Sequence, residues 1–148
     1  MHIYNYSMSR RKKPSFCLFC GKKFHPTYSS FGKYCSLKCQ HKYLNKLRID
    51  GWLNGVINPL NTSGLLTPWA RRYLFEKFKN KCCLCGWSEI NKTTGKVPLE
   101  IDHIDGNFRN NKIDNLRLLC PNCHSLTSTY KSLNKGKGRD NRERVAVE

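Results

Sequence analysis

Nine cysteines occur among 148 residues, and eight of them fall into close pairs: Cys17 and Cys20, Cys35 and Cys39, Cys82 and Cys85, Cys120 and Cys123. Cys-x2-Cys spacing brings two thiols to one backbone turn, which is what a structural zinc needs. The chain has no run of about 18 apolar residues and no N-terminal apolar core of signal-peptide length. It is therefore expected to be intracellular, where disulfides are rare and such pairs hold metal. Small modules that cannot bury a large core depend on staples of this kind. The ninth cysteine, Cys83, competes with Cys82 as a ligand. Cys82 has the two-residue spacing to Cys85 and Cys83 does not, so Cys83 is read as a packed or exposed thiol.

Lys and Arg total 27 against 10 Asp and Glu, a formal net charge of +17. An excess of this size draws a chain to polyanions without defining its fold. Nucleic acid is the expected partner; no basic amphipathic stripe points to a membrane. Eleven of the basic residues and one carboxylate, Asp50, lie in the first fifty positions. Four of the ten carboxylates, Glu100, Asp102, Asp105 and Asp114, cluster in one short stretch.

Residues 1–14 read as a basic flexible arm, with Arg10, Arg11, Lys12 and Lys13 either solvated or set against phosphates. Residues 15–47 read as a small module with one site of four thiolates, Cys17, Cys20, Cys35 and Cys39; His25 and His41 are competing ligands. Ser36 is placed to cap a helix whose Cys39, Tyr43 and Leu47 recur along one face. Residues 48–67, rich in Gly, Pro and Asn, read as a linker with apolar anchors. Trp52 in it could pack on the following module or stack on a base. Thr67-Pro68 opens a helix ending near Asn80-Lys81. Trp69, Tyr73 and Phe78 form its expected buried face, and Arg71 and Arg72 face outward to solvent or to phosphates.

Leu99 to His103 alternates apolar and polar residues and reads as a strand, with Leu116 to Leu119 as its antiparallel partner. The loop of about a dozen residues between them is long for a compact domain, which points to function or to disorder. A helix carrying Leu126, Tyr130 and Leu133 is expected after Cys123. Residues 135–148 read as a basic disordered tail. Around the loop stand Asp102-His103, Asn115 and His124. Aspartate and histidine suit the binding of a hard divalent cation and the deprotonation of a water. Each has a plainer reading: Asp102, Asp105 and Asn115 as turn formers, His124 as a fifth ligand candidate beside the Cys120–Cys123 knuckle.

The stretch from "DHIDGN" to "NLRLLCPNCH", framed by Cys82, Cys85, Cys120 and Cys123, resembles the HNH endonucleases in the zinc-stapled form common in phage genomes. The resemblance covers roughly residues 69–134. The Tyr34-Cys35-Ser36-x2-Cys39 segment resembles the short zinc fingers often fused to them. The implied fold is a small α+β protein: a ββα-metal nuclease module over 68–134, stapled by a four-cysteine zinc, after a separate four-cysteine zinc finger. The implied roles are His103 as general base, Asp102 and His124 as ligands of a catalytic cation, and Asn115 as the residue that orients His103. The implied cofactors are two structural zincs and one catalytic divalent cation: magnesium or manganese, with nickel, cobalt or zinc as alternatives. The implied activity is metal-dependent cutting or nicking of double-stranded DNA by a homing-type phage enzyme, as a monomer or alternatively a dimer. The rival reading is a non-catalytic double zinc finger that binds DNA without cutting it; the Asp102-His103 and His124 set, which binding alone does not need, speaks against it.

Overall fold

The computed structural model describes residues 13–26 and 32–134. Arg10, Arg11 and Lys12 of the expected arm, and the expected tail, lie outside the described residues. The chain divides into two compact units, Met1–Arg48 and Ile49–Glu148. No helix among the described residues is long and apolar enough to cross a membrane.

The first unit opens with an antiparallel pair, β1 (Ser15–Phe16) and β2 (Lys23–Phe24). The turn between them is closed by Cys17 N–H donating to Lys22 O and Gly21 N–H to Cys17 O. Helix α1 (Leu37–Leu53) follows. The Ser36 hydroxyl accepts from Cys39 N–H at 3.2 Å, as an N-cap does. Tyr34 is buried, with its ring 5.5 Å from that of Tyr43. Leu47 stays 47% exposed, so the expected apolar face stops short of it.

In the second unit, α2 (Pro68–Lys77) starts after Thr67 with proline in its first turn. Thr67 does not cap through its side chain; its hydroxyl donates to Pro59 O at 2.8 Å instead. The helix ends at Lys77, and Lys79 and Asn80 take positive φ just beyond it. Ala70 and Leu74 are its fully buried residues, while Trp69, Tyr73 and Phe78 pack at the margin. Arg71 and Arg72 are exposed. Strands β3 (Glu100–His103) and β4 (Leu116–Leu119) form an antiparallel pair, with Asp102 opposite Arg117 and His103 opposite Leu116. The short helix α3 (Pro121–Ser125) packs against both.

Two apolar clusters hold this unit. One joins Leu99, Leu118 and Leu119 to Cys82 and Cys120. The other joins Leu116, Ala70 and Leu74 to Trp52. The linker expected over 48–67 begins later than that, and its apolar anchor Trp52 packs on the following module and does not stand free for a base. Helix α1 runs through Leu53, and Trp52, 4% exposed, belongs to the second cluster. Its indole meets Trp69 and Tyr73 edge-on at 5.8 and 5.7 Å, and its N–H donates to Asn111 O at 2.8 Å. A large ring with a satisfied polar handle is suited to anchor a glycine-rich segment. The expected helix through Leu133 is also corrected. It ends at Ser125, where the Thr127 hydroxyl and N–H both turn back to His124 O. Leu126 is 85% and Leu133 65% exposed, so of the three apolar residues at helical spacing only Tyr130 is half-buried. The Ser and Thr run between them favours local side-chain bonds over helix.

Candidate active site

Successive residues of a strand point to opposite sides, so Glu100 and Asp102 share one side of β3, and Ile101 and His103 share the other. His124, from α3, meets the first side. Its Nδ1 lies 2.9 Å from Glu100 Oε2 and its Nε2 lies 3.7 Å from Asp102 Oδ1. A carboxylate only accepts, so a neutral His124 ring donates from Nδ1 to Glu100 and turns its Nε2 lone pair to Asp102. Asp102 is 6% exposed, and its other oxygen accepts from Arg117 Nε at 2.8 Å. The cross-strand arginine thus fixes the carboxylate so that Oδ1 faces the histidine. The edge of Tyr130 packs on the His124 ring at 5.2 Å. Asp102, His103 and His124 line one open depression with Gly106, Phe108 and Asn134.

Between the strands, the loop is tied by its own carboxylate and amides. Asp105 accepts from Asn110 Nδ2, Asn115 Nδ2 and Asn107 N–H, each at 2.8 Å. Asn115 Nδ2 also donates to Asn110 O at 2.8 Å, and its Oδ1 accepts from Asp105 N–H at 3.1 Å. Gly106 closes the loop with φ 73°. A Cβ there would come within 2.5 Å of Asn134 Oδ1, whose amide donates to Gly106 O. Only glycine combines that dihedral with that approach.

Asn115, expected to hydrogen-bond across the loop and orient His103, does bond across the loop but does not touch the His103 ring. Asn115 bonds Asp105 and Asn110, and the residue on His103 is Asn111, whose Oδ1 lies 3.0 Å from Nε2. Three asparagines within six positions offer equivalent amides, and only the course of the loop decides which one reaches the ring. Glu100 and Arg117 were also missed. Strand alternation was the available signal for Glu100, two residues before Asp102 on the same side, and the hairpin register was the signal for Arg117.

The Asp105 carboxyl is held down at about 2, chiefly by the Asn110 side chain, then by Asn115 and Asn107 N–H, against the opposing effect of burial. A depressed carboxyl stabilises above its ordinary value of about 3.9 and loses that stabilisation as pH falls towards the depressed one. Loop protection in hydrogen exchange, corrected for intrinsic rates, is thus expected to stay level between about pH 8 and 5. Asp105→Asn should speed exchange of the loop amides about tenfold throughout that range, as expected for loss of ~1.5 kcal/mol from a hydrogen bond to a charged group. A step in wild-type protection near pH 6 would show that a different group ties the loop.

Away from this depression, the Sγ atoms of Cys17, Cys20, Cys35 and Cys39 lie within 4.8 Å of one another, as do those of Cys82, Cys85, Cys120 and Cys123. Each set could hold a metal ion, and neither His25 nor His41 belongs to the first. Cys83 stands outside the second set, exposed, with its sulfur 3.4 Å from Leu118 N. The thiols of a set are not equivalent. Burial raises Cys82, but backbone hydrogen bonds at Cys120, Cys85 and Leu84 outweigh it and bring it down to about 6. Cys17 is lowered to about 6 in the same way, by Cys20, Cys35 and Phe19. Neighbouring thiols, Cys39 for Cys35 and Cys85 for Cys123, push those two up to about 12. One cysteine of each set is thereby ready as thiolate, the form that binds metal.

Comparison with known proteins bears on this region. The family model described as HNH endonuclease matches residues 91–125. An H-N-H endonuclease of Escherichia phage T5, F-TflIV, is 51% identical over 59 residues, which are 39% of this chain and a quarter of that relative's length. No solved structure matches. The segment that the HNH endonuclease model matches contains Asp102, His103, Asn115 and His124.

Proposed function

We propose that the protein is a metal-dependent DNA endonuclease that hydrolyses phosphodiester bonds in double-stranded DNA. The convergence of Asp102, His103 and His124 on one open depression carries this reading. A neutral imidazole takes a proton from water near pH 7, so His103 is assigned as general base. Asp102 Oδ1 and His124 Nε2 are assigned as the protein ligands of the catalytic cation. Bonds of about 2.1 Å from one ion place adjacent ligand atoms roughly 3 to 3.4 Å apart. The observed 3.7 Å needs only a small closing of the pair, so the donor set fits. A bound divalent cation supplies Lewis-acid charge at the scissile phosphate and the leaving oxygen. Two protein ligands leave room for water and phosphate, and the mixed oxygen and nitrogen donors suit magnesium or manganese, with nickel, cobalt or zinc as alternatives. Asn115 and Asp105 tie the loop, and Arg117 holds Asp102.

The two cysteine sets are assigned as structural zinc sites. Four thiolates at about 2.3 Å from one zinc lie about 3.8 Å apart. Cys20, Cys35 and Cys39 are separated by 3.5 to 3.8 Å, and Cys85 lies 3.8 Å from Cys120. With all four positions filled, neither zinc would take part in the chemistry. β3, β4 and α3 with the bound cation would form a ββα-metal module, and residues 15–47 a separate zinc finger. That finger, Lys13 and the exposed Arg71 and Arg72 are assigned to DNA contact, together with Arg10, Arg11 and Lys12. The phage origin of the T5 relative supports a homing-type enzyme.

The test is supercoiled plasmid incubated with the full chain and magnesium or manganese, with and without chelator. Nicked or linear product that depends on the cation is expected; binding without any cleavage across these metals would leave a DNA-binding double zinc finger. Glu100 supplies a second measurement. A carboxylate on the far nitrogen of a metal-ligating histidine fixes its ring and tautomer, and its removal costs about 10- to 100-fold in metal affinity. Glu100 is exposed enough that Glu100→Ala should fall near the lower figure. The cation concentration for half-maximal cleavage reads it, and an unchanged value would make Glu100 an ordinary surface carboxylate.

A further inference from the structure

His103, at the end of β3, lines the same depression as Asp102 and His124, with its Nε2 against Asn111 Oδ1. The amide of Asn111 cannot be turned round. Its Nδ2 faces the carbonyl oxygens of Phe108 and Arg109 at 3.1 and 3.2 Å, so a flipped amide would set an oxygen against two acceptors. The ring cannot be turned either, because a half-turn about its axis replaces Nε2 with carbon at that contact. Asn111 therefore presents an acceptor, and the imidazole must donate to it from Nε2. A neutral ring carries one N–H, which leaves Nδ1 as the basic nitrogen. Asn111 is itself fixed: it is 8% exposed, and its backbone oxygen receives the buried Trp52 indole N–H.

We infer that Asn111, anchored by Trp52, is the positioning residue of the general base. It holds the His103 ring and its Nε2–H tautomer, so that Nδ1 is the atom that takes the proton from water. This rests on the assignment of His103 as base. Once Nδ1 is protonated, the imidazolium still donates from Nε2 to Asn111, so no contact has to be remade during the transfer.

The experiment is a long-range proton–nitrogen correlation spectrum of the histidine rings in the 15N-labelled full chain. The cysteine-bound metals are retained, no further cation is added, and the pH is alkaline so that the ring is neutral. His103 is expected to show a protonated Nε2 and an unprotonated Nδ1. In Asn111→Ala the preference for that tautomer should fall, and the cleavage rate should drop by up to about 10²-fold, the scale of a misplaced reacting group. Trp52→Phe, which keeps an aromatic ring but drops the indole N–H, should give a smaller rate loss than Asn111→Ala. A wild-type ring protonated on Nδ1 overturns the inference, and so does Asn111→Ala with unchanged tautomer and rate. If Asn111→Ala does not fold, the wild-type spectrum decides alone. His103→Ala that still cleaves would overturn the assignment of the base while leaving the tautomer result intact, so the two failures are distinguishable.

Discussion

Replacing His103 by alanine is expected to lower the cleavage rate by about 10²–10⁴, the usual worth of a positioned base, while leaving fold and metal content unchanged. The residue is half-buried at the end of β3. Its ring is hydrogen-bonded to Asn111, which keeps its bonds to Phe108, Arg109 and Trp52 when the ring is gone. Neither cysteine set includes it. His103→Ala should therefore melt close to wild type and carry the same metal per chain. The rates are to be compared as single-turnover plasmid nicking at saturating protein, so that a change in DNA affinity does not enter. More than about a tenth of the wild-type rate in a sample of matched metal content would mean that another group takes the proton.

How much of this could be seen in the sequence depends on whether a feature is local. The cysteine pairs are local, since two thiols on one turn are a property of a few residues. So are the β3 and β4 segments, where alternation over Leu99 to His103 and the apolar run over Leu116 to Leu119 fix side and length. The Ser36 cap and Pro68 at the start of α2 are local as well. Trp52 is different. Its neighbours are Gly51, Gly55 and Pro59, and nothing nearby shows that Leu116, Ala70 and Leu74 complete its burial from far along the chain. The choice among Asn110, Asn111 and Asn115 is of the same kind: composition supplies the amides, and the loop path, with its turns at Asp105 and Gly106, assigns them. Glu100 lies between these cases. Strand period placed it beside Asp102, but a lone exposed glutamate gains meaning only when α3 returns His124 to within 2.9 Å of it.

Cys120→Ser is expected to remove one metal from the chain and to unfold the second unit, whereas Cys83→Ser should be nearly silent. Cys120 and Cys82 are 5% and 3% exposed and pack directly with Leu99, Leu118 and Leu119, so this cysteine set forms part of the apolar core. Strand β4 ends at Leu119 and α3 begins at Pro121, and Cys120 joins them with its sulfur accepting Cys123 N–H. Serine at that place deletes a ligand and buries a hydroxyl among leucines. A structural zinc is worth an apparent 10–16 kcal/mol in small modules, comparable to or larger than the roughly 5–15 kcal/mol that holds an ordinary domain together. Loss of such a site thus exceeds what the two small apolar clusters can offset. Cys83 is exposed, and its backbone N–H still bonds Leu118 O after substitution, so an effect within about 0.5 kcal/mol is expected, as for surface changes generally. Metal content after dialysis and a circular-dichroism melt on both variants separate these outcomes. A Cys120→Ser protein that folds and keeps two metals would show that the core, and not the thiolate set, holds β4 to α3. Loss of metal in Cys83→Ser would transfer the ligand role from Cys82 to its neighbour.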